Sequence, residues 1–453
     1  MPLCALERLT KPPAAATVPA TVAVLSGIAK ARSRLYYLGT TKRGTRERGM
    51  FDVVCFGSAT QDVFVKSDTS KLIRISDILA EKEFLCYDYG SKVNIDNIEF
   101  LTGGGATNTA VAFARLGLSS AFVGKVGKND DAGARVIREL ESENVDVRYA
   151  AYSGSQPTGY SVILVSYEGD RTALTFRGAN NTLDENDINW RLLDETKWLY
   201  MSSLSGRSAE MAPIVARKAR EKNVKLAFNP GTTQLKTKIR GLAGILGATD
   251  LVVMNREEAE LVTGLQATHR HVDNQTCIEC GKCIEACSEG VFQKTEAGIE
   301  ARNIDACKRC GECFKACEAG AIQIEPWAYN LHDLFRALLE TGTKLVVITD
   351  GKAGSQACDG ETLYFFPAYS APVVDTLGAG DAFASGFVAG MILYEDVPKA
   401  IQLGSANASS VVRYFGAKSG LLARDEAEDF IRQKETEKIY FVRKTHFDKS
   451  VEQ

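Results

Sequence analysis

DTLGAGDAFASGF, residues 375–387, decides how the rest of the chain is read. It opens as a polar turn and runs into a helical pattern. Gly378 and Gly380 carry no Cβ, so backbone N–H groups can crowd together where that helix begins. Such a helix start binds anions through its unpaired donors and its dipole. Asp381 stands just inside, a carboxylate beside an anion site, where a base accepting a hydroxyl proton belongs. On its own the stretch reads more simply, as a Gly-rich turn with Asp381 stabilising the helix N-terminus.

Three other stretches change that balance. GGGATNTAVAFARLG (103–117) is a second Gly-rich loop opening a helix, and its Asn108 can both donate to and accept from a polyol. NREEAE (255–260) follows an apolar run and sets Asn255 and Glu258 one helical turn apart. That pair suits Mg²⁺ held through water, or an N-cap with its capping-box partner. TDGKAG (349–354) ends another apolar run in a Gly turn suited to packing a nucleotide.

Between these loops, short apolar runs alternate with amphipathic stretches. AFVGKVG (121–127), VKLAFNPG (224–231), DLVVMN (250–255) and KLVVITDG (344–351) read as buried strands. DAGARVIRELESEN (131–144) and NLHDLFRALLETG (330–342) read as helices. The alternation predicts an α/β fold, a mostly parallel sheet with helices on both faces. GYSVILVSYE and RTALTFRG, separated by a Gly-Asp turn, predict a hairpin projecting from that sheet.

In their order and spacing the four stretches resemble the ribokinase-like PfkB carbohydrate kinase family, over roughly 50–264 and 327–435. The resemblance implies ATP-dependent phosphoryl transfer, with Mg²⁺, to a sugar or nucleoside hydroxyl. It makes Asp381 the catalytic base and Gly378, Ala379 and Gly380 the anion hole. Asn255 and Glu258 would organise Mg²⁺ and phosphates, Thr349 and Gly351 would line the nucleotide site, and Asn407 of GSANASS would lie near the adenine. Asp62 of GSATQD matches the sugar-binding Asp, and Gly104 and Asn108 match the second substrate loop. The hairpin at about 158–178 would be a small β lid, through which a homodimer is implied. Asp375 and Thr376 resemble part of a monovalent-cation site, for K⁺. Thr60 and Gly105 depart from the ribose-specific pattern, which has Asn and Lys there, and residues 66–100 form a longer connection than usual.

Twelve cysteines punctuate the chain, eight of them between 277 and 317. CIECGKCIEAC (277–287) recurs as CKRCGECFKAC (307–317), and Gly281 and Gly290 recur as Gly311 and Gly320. A constant offset over six positions marks a duplicated unit. Zinc sites usually pair two CxxC units, so this register favours iron. The segment resembles a bacterial two-cluster [4Fe-4S] ferredoxin over about 268–325, which implies an α+β module and a redox partner. By that resemblance Cys277, Cys280, Cys283 and Cys317 hold one cluster. Cys307, Cys310, Cys313 and Cys287 hold the other. Ser288 and Glu318 stand where Pro normally follows the last cysteine.

The expected organisation is therefore discontinuous: an extension over 1–49, a kinase first part over 50–264, a ferredoxin insert over 265–326, a kinase second part over 327–435 and a tail over 436–453. Residues 1–49 carry nine Lys and Arg against two Glu and read as a disordered or targeting-like extension. The net charge of −3 gives no pull toward nucleic acid or anionic membrane. No apolar run reaches the roughly 18 residues of a spanning helix. Clustered thiols in a long chain point to a reducing compartment, the cytoplasm. The rival reading is an electron-transfer protein that uses a kinase-like nucleotide-binding scaffold.

Overall fold

The structure, a computed structural model, describes residues 50–66, 71–76, 81–165, 171–265, 272–274, 276–302, 312–322, 331–434 and 441–444. The expected extension 1–49, the turn of the lid hairpin, Cys307 and Cys310 lie outside them.

The chain begins with β1 (Phe51–Phe56), β2 (Thr60–Lys66), β3 (Lys71–Ser76), β4 (Glu81–Cys86), β5 (Asn97–Gly103), α1 (Gly105–Arg115), β6 (Ser120–Val123), β7 (Lys125–Gly127), α2 (Asp131–Ser142), β8 (Ala151–Ser153), β9 (Gly159–Val165) and β10 (Arg171–Phe176). It continues with β11 (Thr196–Met201), α3 (Met211–Glu221), β12 (Lys225–Phe228), α4 (Thr232–Leu235), α5 (Lys238–Leu246), β13 (Leu251–Asn255) and α6 (Arg256–Thr263). Then come α7 (Lys282–Ala286), β14 (Phe292–Thr295), β15 (Gly298–Ala301) and α8 (Glu312–Ala316). The last elements are α9 (His332–Leu339), β16 (Leu345–Thr349), β17 (Ser355–Cys358), β18 (Thr362–Phe366), α10 (Ala379–Tyr394), α11 (Val397–Val411), α12 (Arg424–Gln433) and β19 (Phe441–Lys444).

Among the described residues nine strands form the main sheet, in the order β19-β18-β17-β16-β13-β12-β11-β1-β6. The six from β16 to β6 run parallel, and β17, β18 and β19 run antiparallel along one edge. The apolar runs are nearly continuous because both faces are covered. Val53, Cys55, Tyr200, Ala227, Val253 and Val347 meet α1, α10 and α11 on one face. Their neighbours Val54, Met201, Phe228, Met254 and Ile348 meet α3, α5, α6 and α9 on the other. Helix α10 is apolar almost all round, and its first two turns of packing set the site. A Cβ on Gly386 would lie 2.8 Å from the Gly404 Cα, so α10 and α11 touch backbone to backbone. No helix among the described residues is long and apolar enough to cross a membrane.

The lid is larger than the expected hairpin. β9 and β10 pair antiparallel as read from sequence, and β2 and β5 extend them into a four-stranded sheet, β10-β9-β2-β5. Period-two alternation divides its faces. Asp62, Ser161, Ile163, Ala173 and Thr175 line one cavity, while Phe100, Val63, Val162 and Leu174 stand in register on the other face. The long connection 66–100 carries a hairpin of its own, β3–β4. The expected tail is corrected for 441–444, which pairs with β18 as an edge strand.

Between α6 and α9 the cysteine segment makes its own small core. Cys283, Val291 and Phe292 are buried with Cys313, Ala321 and Ile322, so the thirty-residue offset of the sequence holds in space. Gly290 and Gly320 both adopt left-handed backbone, and each donates its N–H to the carbonyl of the preceding Cys287 or Cys317. Glu318, in place of the expected Pro, pairs with Lys282 of the other half at 2.6 Å. Helices α6 and α9, on either side of the segment, pack on each other in the main core through Ala259, Val262, Leu334 and Leu338.

Candidate functional site

A cavity of about 250 Å³ opens between the lid sheet and the start of α10. Its walls include five residues singled out from sequence: Asp62, Gly104, Asn108, Gly378 and Asp381. Each arrives by a short local device. Gly104 precedes α1 with φ 103°, a backbone that other residues rarely adopt. Gly378 precedes α10 with φ 79°, and Ala379 and Gly380 form its first turn. A Cβ on Gly380 would meet nothing within 4 Å, so that turn opens its amides to space.

Asp381 sits three residues into α10. Asn108 donates its Nδ2–H to Oδ2 of Asp381 at 2.8 Å. Loss of hydration pushes the Asp381 carboxyl up to about 6, opposed by that hydrogen bond and by the charge of Lys418. A carboxylate poised there is a stronger proton acceptor than a solvated one. Oδ1 of Asn108 is buried without a hydrogen-bond partner, which leaves an acceptor for a ligand hydroxyl. Asp62, on β2, is also raised by burial, against hydrogen bonds from Ser161 and Thr60 and the charge of Lys418. Thr60 lines the cavity beside it. Gly105 has no room for the Lys of the ribose-specific pattern, since a Cβ there would come within 2.9 Å of Ser202.

Asn255 and Glu258 form the capping box. The Glu258 N–H donates to Oδ1 of Asn255 at 2.8 Å, and the Asn255 N–H donates to Oε2 of Glu258 at 2.9 Å. Burial raises Glu258, and the negative charge of Asp381 adds to it. A carboxylate and an amide set one helical turn apart at the strand ends are oxygen donors of the kind Mg²⁺ takes through water. Thr349 is the β16 partner of Asn255, and Gly351 begins the next turn with φ 51°. These four therefore share the carboxyl end of the parallel strands, where open α/β sheets bind ligands.

Two further sets of expected residues already have partners within the chain. Asn407 is fully buried, donating to the Ala382 carbonyl at 3.0 Å and accepting from the Leu422 N–H at 3.0 Å. It braces α10 against α11 from within the core, with no surface exposed. Asp375 and Thr376 are engaged by Arg171 of the lid. Conversely, sequence reading missed Lys418 and Arg177. Buried Lys418 donates to Thr102 at 2.6 Å and pairs with Glu139 at 2.9 Å. Arg177 is the one cationic side chain among the described residues lining the cavity. A lone Lys between glycines in GAKSG was the available signal for the first.

In the insert, the donor set fits iron–sulfur ligation as far as it is described. Burial raises the Cys283 thiol, and the nearby Cys277 and Cys317 raise it further, so three of the four expected ligands of one cluster share a neighbourhood. The Glu279 N–H points at the Cys277 sulfur at 3.4 Å, from a left-handed backbone in the CxxCxxC loop. Amides aimed at sulfur stabilise cluster thiolates. No group of three or more such side chains among the described residues is gathered around a single ion. A four-iron cubane holds its thiolates farther apart than one ion does.

The chain has relatives among known proteins over both the main sheet and the cysteine segment. The pfkB family carbohydrate kinase description matches residues 50–288 and 328–424, and a 4Fe-4S dicluster domain matches residues 276–322. The chain is 23% identical to an ATP-dependent 6-phosphofructokinase of Thermoanaerobacterium thermosaccharolyticum over 74% of its own length and 86% of that protein. It is 24% identical to a ribokinase of Haemophilus influenzae over 76% of its own length and 91% of that protein. Among solved structures, Arabidopsis thaliana ribokinase complexed with ribose and ATP matches with a TM-score of 0.59 at 19% identity, over 84% of this chain and 99% of that one. Methanocaldococcus jannaschii nucleoside kinase matches with a TM-score of 0.57 at 18% identity, over 85% of this chain and 99% of that one.

Proposed function

Since the chain belongs to the pfkB family of carbohydrate kinases, we propose that it transfers a phosphoryl group from ATP to a sugar or nucleoside hydroxyl held between Asp62 and Asp381. The observation that carries this reading is the Asp381 carboxylate, set at the mouth of the α10 N-terminus and pushed up to about 6. Mg²⁺–ATP, when bound, supplies the phosphoryl group and screens its charge. The chain supplies the rest. Asp62 and Asn108 hold acceptor hydroxyls, and Asp381 takes the proton of the attacking one. The amides of Gly378, Ala379 and Gly380 face the transferred group. Asn255 and Glu258 would orient the metal, while Thr349 and Gly351 would bound the nucleotide. The lid sheet excludes water.

The kinase is divided in two by its guest, with α6 and α9 closing the gap in the main core. In a reducing cytoplasm the guest would hold two [4Fe-4S] clusters, one on Cys277, Cys280, Cys283 and Cys317 and the other on Cys307, Cys310, Cys313 and Cys287. The electron-transfer reading of the whole chain is less favoured, because the cavity keeps every expected catalytic and substrate residue on its walls or at its helix start. ATP consumption against a panel of pentoses, hexoses, sugar phosphates, sugar acids and nucleosides tests the proposal. Consumption with none of them, or equal consumption by Asp381→Asn, would overturn it.

Two further outcomes follow. Asp62→Asn keeps the side-chain shape but loses a charged acceptor, so KM for the accepted sugar rises about tenfold to a hundredfold, with a smaller change in kcat. A KM unchanged in steady-state kinetics would remove Asp62 from the sugar site. The outer face of the lid sheet exposes Ile98, Phe100, Leu174 and Phe176, an apolar set that suits a second copy of the chain. Sedimentation is expected to show a dimer that Phe100→Glu with Leu174→Glu splits into monomers. A monomeric parent protein would sink this assignment.

A further inference from the structure

Asp375 and Thr376, at the base of the 375–378 loop, resemble part of a monovalent-cation site that some members of the family have. The donors present do not suit one. The Asp375 side chain is 4% exposed and already balanced. Its Oδ1 accepts from the Leu377 N–H at 2.9 Å, and its Oδ2 accepts from the Gly416 N–H at 3.1 Å. The guanidinium of Arg171 forms an ion pair with Oδ1 through Nη1 and donates from Nη2 to the Thr376 hydroxyl at 2.9 Å. A buried carboxylate needs one compensating charge, and here the chain itself provides it. A planar guanidinium reaches both acceptors at once, which a point cation at the same place would have to displace.

We propose that Arg171 is a built-in replacement for the monovalent cation: a positioning residue that holds the anion-hole loop from the lid sheet and makes phosphoryl transfer independent of K⁺. The inference deepens the kinase reading and rests on it for its activity arm. Arg171 opens β10, the strand whose Ala173 and Thr175 wall the cavity. The charge that neutralises Asp375 therefore travels with the sheet that covers the substrate. The Asp375 carboxylate in turn ties the loop to the Gly416 N–H, and the Asp375 N–H bonds the Val412 carbonyl at 3.2 Å, so the loop's other side is fastened to backbone groups that carry no charge.

The test compares the full-length protein, Arg171→Ala and Arg171→Lys in KCl and in tetramethylammonium chloride at matched ionic strength. Two readouts are taken, phosphorylation rate and thermal melting. The parent protein is expected to show the same rate and the same Tm in both salts. Arg171→Ala loses at least about tenfold in rate in tetramethylammonium, because it leaves a buried charge unpaired. KCl then recovers part of the rate and raises the Tm of that variant alone. Arg171→Lys keeps a cation on the same tether and stays insensitive to K⁺. A parent protein whose rate or Tm depends on K⁺ would overturn the proposal. So would an Arg171→Ala variant with full rate and no response to K⁺. If no sugar is phosphorylated at all, the kinase reading fails, and the melting data still decide for or against Arg171 as the cation.

Discussion

Asp381→Asn is expected to lower kcat by about a thousandfold, within the range attributed to positioned proton transfer. The variant is a clean one. Asn keeps the size of the side chain and an oxygen for the 2.8 Å hydrogen bond from Asn108, so the cavity wall stays in place. What goes is the ability to take a proton from the acceptor hydroxyl and the negative charge facing the transferred group. The parent enzyme should show an acid limb in kcat/KM near pH 6, because the carboxyl is pushed up to about 6 and must be ionised to act. Lys418 lowers that value by its charge, so Lys418→Met should move the acid limb upward, toward neutral pH. A pH profile of the parent that stays flat from pH 5 to pH 8 would argue against Asp381 as the base.

The same carboxyl carries a stability consequence of known sign. Its folded value lies above the ordinary 3.8, so the folded state holds the proton more tightly than the unfolded chain does. The stabilisation is fully present below the unfolded value and is lost as pH rises through about 6. At pH 8 the ionised group therefore weighs against folding, by up to about 3 kcal/mol for a shift of this size. Asp381→Asn should melt higher than the parent at pH 8 and no higher at pH 4. Loss of activity with gain of stability is the pattern expected of a group kept for chemistry.

What could be read from the chain depended on how local its cause was. The Gly-rich starts of α1 and α10, and the Asn255–Glu258 box, each arise within a few consecutive residues, and each was found where it was expected. The parallel core strands announced themselves as unbroken apolar runs because both their faces are covered. The long-range charges were not legible. Lys418 reaches Asp62 and Asp381 through the fold, and Arg171 meets Asp375 from 204 residues away. Nothing near either basic residue marks its partner. The bracing of Asn407 was hidden for the same reason, since the Ala382 and Leu422 backbones it bonds are brought to it only by packing. The β19 strand was read as tail because four residues with two charges give almost no periodic signal.

Cys283→Ser should remove about half the iron, from about eight atoms per chain to about four, and halve the broad visible absorption of the clusters. Cys283 is the position to choose because the residue is only 6% exposed and shares the small core with Val291, Phe292 and Ile299. Serine there loses a soft ligand and places a hydroxyl in an apolar core, so nothing nearby can replace it. Exposed Cys280, in the same loop, should give a milder loss. The kinase rate is the deciding companion measurement. Helices α6 and α9 pack on each other within the main core, so that core closes without help from the insert. Sites that share no packing respond independently, and the rate should stay within about twofold of the parent. A rate that falls in step with iron content would instead make α6 the link, since it carries Glu258 at its first turn and leads directly into the cysteine segment. That outcome would turn the insert from a passenger into a redox control of metal binding at Glu258.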